Sequence, residues 1–248
     1  MLYRSSSEKA LNTEDAISYT QLKYENKITF QFLPKKSVLF KKAKIAESVA
    51  QWFTYCLEKG LQDIKIIVPV SVNDRALLGF SNAIQSTLIC FWRERVTYFI
   101  ARWDFDSVKN MWNILYIEQE WFDAPSGKLR FENNIEEFKS VLTEIKELAH
   151  NIEQDYFTEV FQRAFNILSD SFDCKEMGHD LPPPDIPEEN LRLFQAASIA
   201  DVFGAMGSWN DSPAYVAHEK GLGEEYNTLS EELLKQVRLA LLYAINEW

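Results

Sequence analysis

The feature that most constrains this chain is a change of apolar period near residue 125. Before it, three short runs rich in β-branched and aromatic residues follow one another: 87–92, 96–103 and 112–118. They are joined by Arg93-Glu94-Arg95 and by 104–110. Links this short connect neighbouring strands as antiparallel hairpins. After the turn signal Ala124-Pro125-Ser126-Gly127, apolar residues recur at helical spacing to the last residue. This order predicts an α+β fold, with an antiparallel β-meander in the N-terminal half packed against a mainly helical C-terminal half.

The flanking segments fit that frame. Residues 1–17 read as a polar lead-in. Tyr24, Ile28, Phe30 and Phe32 alternate as in a half-buried strand that Pro34 ends. Ile45, Val49, Trp52, Phe53 and Cys56 form one face of a helix expected over 38–59, with Gly60 as its stop. A further strand is expected over 63–70. Ile135, Phe138, Leu142, Ile145 and Leu148 form one helical stripe, and Ile152, Tyr156, Val160, Phe161 and Leu168 another. These read equally as one long helix or as two. Residues 170–187, with Pro182-Pro183-Pro184, read as an extended crossing segment. Pro187-Glu188-Glu189 then opens a helix. The expected organisation is a single domain over 1–248, sheet-rich over 20–122 and helical over 131–248.

Charge narrows the function. The net charge is −11, and residues 131–190 hold 15 acidic against 4 basic residues, an excess equal to that of the whole chain. Nucleic-acid binding is disfavoured, because phosphate contact needs a basic face. The one basic cluster, Lys35, Lys36, Lys41, Lys42 and Lys44, reads as a solvated helix entry. A basic protein would instead be attracted. Three widely spaced cysteines, Cys56, Cys90 and Cys174, argue for a reducing cytoplasm and against a disulfide scaffold. No apolar run is long enough to span a bilayer, and the expectation is a cytoplasmic protein with no membrane partner.

Motifs for catalysis and metal binding are sparse. His150, His179 and His218 lie too far apart in sequence for a paired-histidine metal motif. His179 beside Cys174 sits in the Pro-rich segment, a poor place for a rigid site. Asp104 and Asp106 lack the Gly and downstream Glu of a calcium loop. Glycine-rich phosphate loops and Gly-x-Ser-x-Gly are absent. No catalytic residue, cofactor or metal is assigned. An alternative is a hydrolase or small-molecule-binding protein with a pocket between sheet and C-terminal helices, for which Trp103, Tyr116 and Asp104 are the candidates.

The remaining feature is the loop Phe203-Gly204-Ala205-Met206-Gly207-Ser208-Trp209-Asn210-Asp211, set between two helical stripes. It reads either as a helix–loop–helix corner plugged by Trp209, or as a site where Trp209 and Asn210 face a partner. With the following Glu225-Tyr226-Asn227-Thr228-Leu229-Ser230-Glu231-Glu232-Leu233, about a quarter of the chain resembles the C-terminal segment of small, poorly characterised bacterial proteins. Some of these are encoded beside secreted polymorphic toxins, so the resemblance implies an immunity-like role.

The expectation from charge and resemblance together is a non-enzymatic acidic binding protein, an immunity protein neutralising a basic toxin. Its partner surface is expected at Glu136, Glu144, Glu147, Glu153 and Asp155 for steering, and at Trp209, Asn210 and Asp211 for anchoring. A third alternative is a homo-oligomeric structural protein whose aromatic face forms a homodimer interface.

Overall fold

The computed structural model describes residues 23–34, 43–70, 86–125, 127, 129–169, 186–204 and 206–248. The expected lead-in, Cys174, His179 and the triple proline lie outside them. The fold is α+β. The chain divides into two compact units: the described sheet residues fall within 23–67 and 86–129, and the second unit takes 68–70 and the helical residues from Arg130 on.

The sheet unit holds β1 (Glu25–Gln31), β2 (Ile45–Ala46), β3 (Leu61–Ile67), β4 (Thr87–Trp92), β5 (Val96–Asp106) and β6 (Met111–Glu120) in the order β2-β1-β6-β5-β4-β3. The meander β3-β4-β5-β6 is antiparallel throughout. The expected meander is present, and the sheet as a whole is mixed, because β1 runs parallel to β6. Local pattern sets where a strand forms but not which distant strand it joins, so this added pairing was open in the sequence.

Helix α1 (Val49–Glu58) covers one face of this sheet. It is shorter than the expected 38–59. The Ser48 side chain accepts a hydrogen bond from the Gln51 N–H (3.2 Å), and this cap starts the helix at Val49. Ile45, expected on the helix, therefore lies in β2. Val49, Trp52 and Cys56 fall on the sheet-facing stripe. Trp52 stacks on Phe30 (4.7 Å between ring centres) and meets Phe99 edge-on (5.8 Å), which makes an aromatic core.

The helical unit holds α2 (Ile135–Asn151), α3 (Asp155–Leu168), α4 (Glu188–Ala200), α5 (Ser212–Glu219) and α6 (Gly223–Asn246). Helices α2, α3, α4 and α6 pack in a ring, each on the next, and form a four-helix bundle. Hydrogen bonds give the helix directions. Asn134 Nδ2 donates to the Gln236 carbonyl (2.9 Å) and Lys220 Nζ to the Asn151 carbonyl (3.0 Å), so α2 runs against α6. Asn190 Nδ2 donates to the Glu247 carbonyl (3.1 Å), so α4 starts where α6 ends. The two stripes over 135–168 are two helices. Ile152, Glu153 and Gln154 separate them, and Glu153 takes a left-handed φ of 59°.

Candidate functional site

The loop around Trp209 is a closed corner of the bundle. Gly207 turns the chain with φ 79°, which a side chain would resist, and its N–H donates to Asp211 Oδ2 (2.8 Å). Asn210 Oδ1 accepts from the Gly204 N–H (2.9 Å) and from the Ser208 hydroxyl (2.8 Å). The Trp209 N–H donates to the Val202 carbonyl (3.0 Å), which closes the loop on the end of α4. The polar residues of the motif thus satisfy the loop's own backbone.

Trp209 is fully buried. Its ring stacks on Tyr226 (5.2 Å) and meets Phe157 and Phe161 edge-on (5.2 Å each). The indole N–H donates to Ser230 Oγ (2.8 Å), and the Tyr226 hydroxyl donates to the Trp209 carbonyl (2.6 Å). The anchoring expectation is overturned: a side chain with no exposed surface reaches no partner. Trp209 is the plug of a helix–loop–helix corner. Asn210 is half-buried and Asp211 exposed, and each is committed to the loop.

The acidic face is arranged differently. Glu136, Glu144, Glu147, Glu153 and Asp155 are all exposed. On α2, Glu136, Glu144 and Glu147 share one stripe at 3.6 residues per turn. Glu153 stands in the α2–α3 turn and Asp155 opens α3. Two of the five are paired: Glu136 with Lys139 (3.2 Å) and Glu153 with Lys220 (2.8 Å). The hydrogen bond and charge of Lys220 hold the Glu153 carboxyl below the usual carboxylate range. Glu144 accepts from the Ser140 hydroxyl (3.1 Å). Tyr156, which the sequence placed on the apolar stripe of its helix, is 69% exposed, next to Asp155 in the first turn of α3. Helix α5 had not been anticipated; Pro213 in its first turn was the available signal.

The pocket candidates do not converge. Trp103 and Asp104 are adjacent on β5, so their side chains point to opposite faces. Tyr116 is half-buried against Phe30 (5.1 Å). Asp106 Oδ1 accepts from the Val108 and Lys109 N–H groups (3.1 Å each), which commits it to the hairpin turn. Among the described residues, no three His, Cys, Asp or Glu come together as metal ligands. Burial, with Cys90 and Glu118 as lesser causes, pushes the Cys56 thiol far up, and burial and Glu118 do the same to Cys90. These are core thiols. Buried Glu118 is a strut: its Oε2 accepts from the Leu33 N–H (2.8 Å) and Arg95 stands 3.6 Å from its Oε1. Among the described residues, no helix is long and apolar enough to cross a membrane.

No protein-family model, curated protein or solved structure matches the chain.

Proposed function

We propose that this is a non-enzymatic binding protein that captures a basic partner on the acidic corner of its helical bundle, as an immunity protein captures a toxin. The observation that carries the reading is the group of five exposed carboxylates along α2, its turn and the start of α3, where exposed Tyr156 follows Asp155. Among the described residues, only Glu136 and Glu153 of the five have a lysine against them. The rest keep their field for a cationic surface, which steers encounter. Tyr156 takes the anchoring role first given to Trp209, because an exposed tyrosine offers a large rigid contact at little entropic cost. The bundle holds these groups on helices, and sites on helices keep their geometry better than sites on loops.

The test is affinity capture from the lysate and secreted fraction of a bacterium carrying the gene, at low and moderate salt. The expected result is one basic partner, lost as salt rises. A Glu144→Lys/Glu147→Lys variant should lose that partner while its melting curve stays in place, since both residues are exposed. No partner at either salt, or a partner held equally by the variant, would sink the reading.

A further inference from the structure

Strand β5 is longer than the strand beside it. It pairs with β6 from Thr97 to Asp106, but β4 ends where Thr87 meets Ile100. Beyond Ile100 one edge of β5 is open among the described residues. Hydrogen-bond phase shows which groups line it. The Trp112 N–H donates to the Tyr24 carbonyl (2.7 Å), so Trp112 turns its backbone toward β1, and its pair with Phe105 is a non-hydrogen-bonded one. By alternation the N–H and C=O groups of Phe105 and Trp103 point outward from that edge. In agreement, Arg95 in the same phase bonds Trp92 of β4 (2.9 Å), while Val96 bonds Trp121 on the opposite side (3.1 Å).

The same stretch exposes apolar surface. Trp103, Phe105 and Trp112 are 54%, 45% and 38% exposed and form one cluster on one face, with ring centres 6.1 and 4.9 Å apart. The edge lacks lysine and proline, which commonly guard open strands. Its charges are Arg102, Asp104 and Asp106. Arg102 and Asp104 are exposed and form no ion pair among the described residues.

We infer that this edge is a self-pairing surface, on which β5 of a second copy lies antiparallel about a two-fold axis through Trp103. The charges select that register. Centred on Trp103, Arg102 stands opposite Asp104 of the second copy, twice by symmetry. Centred on Arg102 or on Asp104, each residue meets its own copy. Centred on Phe105, Asp104 meets Asp106 of the second copy. Centred on Asp104, Arg102 also meets Asp106 of the second copy, but Asp104 then faces its own copy, so of these registers only the first sets opposite charges together with no like pair. It also places the outward backbone groups of Trp103 against those of its copy, as a hydrogen-bonded pair requires. The two exposed aromatic clusters then meet beside the axis. The paired stretch is short, so the dimer dissociates on dilution.

The experiment is sedimentation over a concentration series up to about 0.5 mM, a range that reaches weak association, on four forms of the full chain: wild type, Arg102→Asp, Asp104→Arg and the double swap. Circular dichroism confirms that each is folded. Wild type should dimerise. Each single variant sets two like-charge pairs opposite and should raise the dissociation constant about tenfold or more. The double swap should restore it to within about threefold. In addition, Trp103→Cys should form an intermolecular disulfide with itself under mild oxidation, because strand-paired Cα atoms stand at disulfide distance. A wild type that stays monomeric, single variants that dimerise as wild type does, or a double swap that fails to recover would each overturn the proposal.

Discussion

Two tryptophan sites look alike in the sequence and differ in the fold. Trp209-Asn210-Asp211 and Trp103-Asp104-Phe105-Asp106 both set an indole beside short polar residues, an Asp in each. Trp209 is buried with its N–H on Ser230, inside a box of Tyr226, Phe157 and Phe161. Trp103 is half in water, in contact with Trp112. The difference lies in what each site's polar neighbours do. Asn210 and Asp211 satisfy backbone groups of their own loop, which lets the chain fold over the ring. Asp104 alternates to the other face of a strand whose edge beyond Ile100 is open among the described residues. An aromatic residue flanked by polar ones is therefore core or surface according to whether those polar groups turn inward to the backbone.

That contrast can be broken most sharply by truncation. Trp209→Ala should cost about 3–5 kcal/mol of stability in denaturant unfolding, because it empties a filled, hydrogen-bonded site. Trp103→Ala should stay within about 0.5 kcal/mol, as for other exposed positions. Similar losses at both would mean that the two sites are not core and surface. A finer test removes only the indole's acceptor. Ser230→Ala leaves the Trp209 N–H buried and unpaired and should cost about 1–3 kcal/mol. No loss there would show that the ring is held by packing alone.

The sequence made the meander legible because short links leave neighbouring strands little choice. It made the bundle helices legible because their apolar stripes are long. The parallel pairing of β1 with β6 was not legible, since Tyr24 to Phe32 alternates in the same way whichever strand it joins. The start of α1 was missed because Ile45 fits the helical stripe, and only the Ser48 cap excludes it. At the loop, both readings of Trp209 were open on residue type. Deciding between them needed Ser230 and Tyr226, about one helix turn apart on α6, to meet the ring. The exposed carboxylates of α2 were legible as a stripe. Tyr156 was not, because it shares the spacing of buried Ile152 and Val160's helix face.

The most direct measurement of this account is hydrogen exchange at the indole N–H groups, followed by NMR in the native protein. The account predicts that the Trp209 indole exchanges only through opening of the helical unit, far more slowly than those of Trp103 and Trp112. A Trp209 indole that exchanges as fast as that of Trp103 would contradict it, and would return the loop to the surface as a place where a partner can bind.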